Sequence, residues 1–188
     1  GGSTLTATLT RLFKSINARA SGTRGERPIA LSANKTQAKG LELNERISFT
    51  SVFNAPHTVT TDADRVAITF TIPAFIPKNF VNAPAGATGF RIAGAVGWLS
   101  DYSFDSSTLS YEPDVPEQNS IGITEYSAVQ PLDNNSTTIT LTATAPGGLV
   151  PDAGISVLCG LGIEFYQKVD GVDYLLAQGN AMRIVEVF

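Results

Sequence analysis

A single histidine, His57, and a single cysteine, Cys159, leave this chain short of the side chains that build many active sites and most zinc sites. One cysteine makes no intrachain disulfide. None is needed at 188 residues, because a domain of this size buries roughly 70% of the surface its unfolded chain exposes. One His and one Cys cannot close a four-ligand zinc site. Any Ser-His-Asp or Cys-His system must use His57, which follows Pro56 at the start of an extended stretch, and no Gly-x-Ser-x-Gly elbow occurs. His57 therefore reads as structural or superficial, and Cys159, inside an apolar run, as a buried apolar side chain.

Long apolar runs are also missing. The longest, from Gly154 to Phe165, is broken by Ser156, Gly160 and Gly162 and carries Glu164, well short of the ~20 residues a membrane helix requires. The glycine-rich Gly86–Gly97 stretch lacks the Gly-Lys-Ser/Thr ending of a phosphate loop. Asp62/Asp64 and Asp170/Asp173 do not fit the twelve-residue calcium loop with its closing Glu. The expectation is no catalytic residue, no metal and no cofactor.

Positive charge is absent from most of the body. Residues 92–167 contain no Lys or Arg and nine acids, whereas residues 1–46 carry eight bases against three acids, a net of +5. Complementary blocks of charge steer association. Arg11, Lys14, Arg19, Arg24 and Arg27 form a candidate assembly arm, which folds back on its own acidic body or docks on a neighbouring copy. Nucleic acid is not an expected partner, since the acidic remainder would repel phosphate. The opening Gly1-Gly2-Ser3, without an initiator Met, fits a cloning scar, a processed terminus or a removed signal peptide.

What the chain has in quantity is threonine and two-residue alternation. Leu9, Leu12, Phe13, Ile16 and Ala20 recur at helical spacing and predict one helix near residues 9–20 within a basic arm spanning 1–45. Residues 21–45 read as loop with at most one short strand near residues 29–31. From residue 46 the period becomes two. Ile47, Phe49, Ser51 and Phe53 predict a strand, and residues 57–60 and 66–72 predict a hairpin across Asp62-Ala63-Asp64. Phe90, Ile92, Gly94, Val96 and Trp98 share one face of the next strand, its glycines marking a bend or a close approach. Residues 102–104 and 108–111 bracket Ser106-Ser107, and the acidic run from Glu112 to Ser120 reads as an exposed loop. Residues 121–129 are expected to pair with 137–145. Residues 155–169 read as a long central strand with a bulge at Gly160 or Gly162, joined through Asp170-Gly171 to residues 172–177, with a last strand at 182–188. The sum is an all-β, antiparallel two-sheet sandwich, Ig-like or jelly-roll-like, over residues 46–188.

Trp98 with Tyr102 offers a candidate ligand platform, although a lone Trp in an alternating strand is more often core. The runs Ile72-Pro73-Ala74-Phe75-Ile76-Pro77 and Pro84-Ala85-Gly86-Ala87-Thr88-Gly89-Phe90-Arg91-Ile92, with Asn44–Pro56 and Met182–Phe188, resemble a family of uncharacterised β-rich proteins from Bacteroidetes. That resemblance implies a β-sandwich and carries no functional residues. The expected function is non-enzymatic: a self-associating subunit of a surface, filament or particle, outside the cytoplasm, partnered by itself or another protein. A carbohydrate-binding module is the alternative.

Overall fold

Where Ile, Leu or Phe alternates with Thr, the chain is extended, because branched and aromatic side chains fit a pleated, half-buried surface. The computed structural model describes residues 30–188. The expected helix at residues 9–20 and the arm bases Arg11, Lys14, Arg19, Arg24 and Arg27 lie outside the described residues. In chain order the strands are β1 (Thr58–Thr61), β2 (Ala67–Ile72), β3 (Gly89–Ser100), β4 (Tyr102–Asp105), β5 (Ser110–Pro113), β6 (Ile121–Tyr126), β7 (Gln130–Pro131), β8 (Ile139–Thr144), β9 (Ile155–Val169), β10 (Val172–Leu175) and β11 (Ala181–Val187). Two helical turns accompany them, α1 (Phe49–Val52) before β1 and α2 (Pro77–Phe80) between β2 and β3.

The smaller sheet has the order β1-β2-β8. Ile68, Phe70 and Ile72 join Ile139, Leu141 and Ala143 on its buried face. On the opposite face Thr58, Thr71 and Thr140 stand in one cross-strand row, and Thr60, Thr69 and Thr142 in the next. The larger sheet centres on β3 and β9, paired from Gly89↔Tyr166 to Ser100↔Ile155. β6 and β7 lie beyond β3, and β10 and β11 share the far edge of β9. β4 and β5 form a separate hairpin. All these pairings are antiparallel, and the all-β two-sheet sandwich is the observed architecture.

The two sheets meet through aromatic side chains. Phe53, Phe70, Phe90, Trp98 and Phe165 are buried in one cluster. Gly94 lets the sheets close: a Cβ there would sit 2.7 Å from Phe70 Cδ2. The opposite face of the larger sheet is covered by residues 30–43. Leu31, Ala38 and Leu43 pack on Leu99, Leu158, Ile184 and Val187 as a second core. Residues 30–43 thus pack against the strands that follow residue 46.

Four local expectations are corrected. Residues 49–52 are a helical turn because Phe49, Val52 and Phe53 are the buried set, spaced one turn apart, while Ser51 is exposed. Residues 31–33 are a 3-10 turn, so no strand spans 29–31 in the described part. β6 does not pair with β8. The intervening chain crosses the sandwich, and each completes a different sheet. The bulge lies on β11 between Ile184 and Glu186, opposite Gly160 and Cys159, so β9 runs uninterrupted.

Candidate functional site

Trp98 cannot serve as a stacking platform. Its side chain is fully buried, and its indole N–H donates to the Arg65 carbonyl at 3.2 Å. Tyr102 is half-buried, with its hydroxyl accepting the Asn119 amide at 2.6 Å. β3 ends in the core just where β4 turns away, so the two side chains that sequence placed together serve packing and loop closure instead.

The nucleophile and base candidates are occupied locally. His57 Nδ1 lies 3.0 Å from the Ala55 carbonyl, and its ring packs near Phe53. Cys159 is buried in β9, where desolvation and then the charge of Glu186 push its thiol up to about 12. A thiol held protonated in this way is a poor nucleophile and a poor metal ligand. Asp62, at the β1–β2 turn, accepts the Val66 and Ala67 N–H groups at 2.8 and 2.9 Å. Those bonds, the Ala67 one foremost, hold its carboxyl below the usual range. Both acceptances close a turn, so Asp62 is engaged by its own backbone.

Arg65 is the side chain that sequence reading passed over. It adopts φ of 58° after the Asp62 turn, and its guanidinium donates to the carbonyls of Ile155 at 2.6 Å and Asp152 at 2.7 Å, with Phe188 at 3.4 Å. It thereby ties the smaller sheet to the start of β9 and to the end of the described chain. The only signal available was its place after Asp-Ala-Asp.

Several acids of the base-free stretch lie at the surface. Glu112, Asp114 and Glu117 are exposed along and after the β4–β5 hairpin. Asp105 is held below its ordinary range, first by the Ser107 hydroxyl at 2.6 Å and then by that residue's N–H. Part of the basic segment does engage this body. Ser32 donates its N–H and hydroxyl to Asp101, and Lys39 pairs with Glu186 at 3.0 Å. Burial, then repulsion from Arg65, lowers the Lys35 pKa, against an opposing pull from Asp101. Arg91, just before the base-free stretch, stacks 3.8 Å from the Tyr126 ring centre and reaches Glu164 at 3.3 Å.

Two further surfaces stand out. A cleft of about 690 Å³ runs between Arg46, Val52, Asn82, Pro84 and Gln178. Its Asn44 and Asn180 side chains are already bonded to the backbone, Asn44 to the Asn180 carbonyl and Asn180 to the Phe165 N–H and Leu176 carbonyl. Elsewhere, four of the eight large apolar side chains exposed among the described residues, Val169, Val172, Tyr174 and Leu175, sit on the β9–β10 hairpin. Comparison with protein-family models, curated proteins and solved structures finds no match to this chain.

Proposed function

We propose that this protein is a non-enzymatic, self-associating subunit of a surface, filament or particle assembly. The observation that carries the reading is the separation of charge: five arm bases precede residue 30, while residues 92–167 hold nine acids and no base. Glu112, Asp114 and Glu117 are exposed and lie in that acidic stretch. Lys39 and Ser32 already satisfy Glu186 and Asp101 from the described end of the basic segment. The remaining arm bases therefore have the exposed acids of a body to meet, their own or a neighbour's. A protonated, buried Cys159 and a locally bonded His57 support the non-enzymatic half of the reading. The rival, a carbohydrate-binding module built on Trp98 and Tyr102, loses its stacking surface to the core.

Light scattering on the full chain and on a chain lacking residues 1–29, at low and high salt, tests the proposal. The expected result is oligomers of the full chain that shrink as salt rises and are reduced by the deletion. A monomer under every condition removes it.

A further inference from the structure

Among the described residues, β10 is an edge strand left open. Its neighbour on that edge, β11, is covered: Gly40 and Leu43 donate to the Ile184 and Met182 carbonyls at 2.7 and 2.9 Å, and Ile184 donates to Leu41 at 2.9 Å. β10 pairs on one side only, with β9. All four of its residues are exposed, with Val172 at 51%, Tyr174 at 55% and Leu175 at 55%. Protein edges are usually blunted by Lys, Pro, a bulge or a covering segment. Among the described residues β10 has none of these, and Asp173 is its one charge. The edge strand β1, by contrast, presents Thr58, Thr60 and Thr61.

The turn decides which backbone groups are open. Asp170 and Gly171 both have positive φ, 50° and 81°, the two-residue hairpin geometry. Val169 and Val172 flank it directly as register partners, which in a two-residue hairpin makes them a hydrogen-bonded pair. Alternation then aims the N–H and C=O of Val172 and Tyr174 at β9, and those of Asp173 and Leu175 outward.

We propose that β10 pairs antiparallel with β10 of a second copy of this chain, about a two-fold axis through Tyr174. The inference rests on the self-association reading but uses a surface that the arm does not. Directly opposed residues in an antiparallel pair share a sheet face, and a two-fold normal to the sheet keeps each face in place. The axis must therefore pass through a residue, not between two. With Tyr174 on the axis, Asp173 faces the second copy's Leu175, and these outward-pointing groups exchange four backbone hydrogen bonds. Tyr174 meets its own counterpart in the close, non-hydrogen-bonded position, beside Val172. On the other face Lys168, Asp173 and the second copy's Leu175 and Tyr166 form one row with no like charges adjacent. An axis through Asp173 would instead set two carboxylates directly opposite, which is destabilising. Four residues a side is far below the roughly 20–30 of a standard interface. The contact is weak alone and closes when another contact holds the copies together.

Cysteine cross-linking in the full chain tests both surface and register. The native Cys159 is buried and does not compete. Opposed Tyr174 positions lie about 4.5 Å apart at Cα, within disulfide reach, so Tyr174→Cys links about tenfold faster than Leu109→Cys, an exposed control. Asp173→Cys links poorly alone but readily with Leu175→Cys. If Tyr174→Cys links no faster than the control, the pairing is wrong. If Asp173→Cys links fastest alone, the register is wrong. Light scattering on the same samples separates the two readings. Salt-sensitive oligomers without cross-linking overturn the hairpin contact alone, and a persistent monomer overturns both.

Discussion

Gly94 shows how one missing side chain sets the distance between layers. It sits on β3, facing β2, and an added Cβ would fall 2.7 and 2.9 Å from Phe70 Cδ2 and Cε2. Phe70 is itself buried in the core between the two sheets. Gly94→Ala is expected to cost about 1–3 kcal/mol by overpacking, read as a lower urea midpoint at unchanged slope. Combined with Phe70→Leu, the loss should be smaller than the sum of the two single losses, because the shorter side chain vacates the clashing space. Full additivity would show that the two residues do not meet. The role of Gly94 was legible in part, since glycine at an inward strand position marks either a bend or a close approach. Arg65 was not legible: a left-handed, non-glycine residue that bonds three distant carbonyls leaves no periodic trace. The burial of Trp98 was the ordinary reading of its pattern, and its neighbour Tyr102 changed direction only because β3 ends between them.

At the scale of elements, period two is trustworthy where it persists and unreliable where it is brief. β2, β8 and β9 were read from long alternation or apolar runs, and the Asp170-Gly171 hairpin from its turn chemistry. Residues 47–53 alternate for only four apolar or small positions, and a buried Val52 beside Phe53 tips them into a helical turn. Strand pairing is a non-local property, so nothing in β6 or β8 says that they belong to different sheets. The cover over the larger sheet was likewise hidden, since Leu31, Ala38 and Leu43 follow neither period. Leu31 is fully buried, so Leu31→Ala is expected to cost about 2–5 kcal/mol. A chain cut at residue 44 should expose Leu99, Leu158, Ile184 and Val187 and bind a hydrophobic dye, whereas one cut at residue 30 should not. Equal dye binding by the two would mean that residues 30–43 are no part of the fold's cover.

Across the whole molecule, two contacts of opposite physical character have been assigned to self-association, and salt separates them. Attraction between arm bases and exposed carboxylates is long-ranged when the Debye length is about 30 Å, at 0.01 M, and nearly gone when it is about 3 Å, at 1 M. Backbone pairing and apolar contact at β10 do not weaken in this way. Reversing charge with Glu112→Lys, Asp114→Lys and Glu117→Lys together should abolish most low-salt association, because these exposed acids lie in the stretch that has no base of its own. In the same variant carrying Tyr174→Cys, cross-linking should slow as well, because the β10 contact closes only while another contact holds the copies together. Tyr174→Lys should weaken low-salt association only in part and leave its salt dependence in place, because the β10 contact closes on copies that the arm already holds. Neither change touches a buried side chain, so loss of folding does not confuse the outcome. Sedimentation velocity on both variants across that salt range decides it. If the triple reversal associates like the native chain at low salt, the acidic face is not the arm's partner, and charge separation in this sequence is only the solvation of two surfaces.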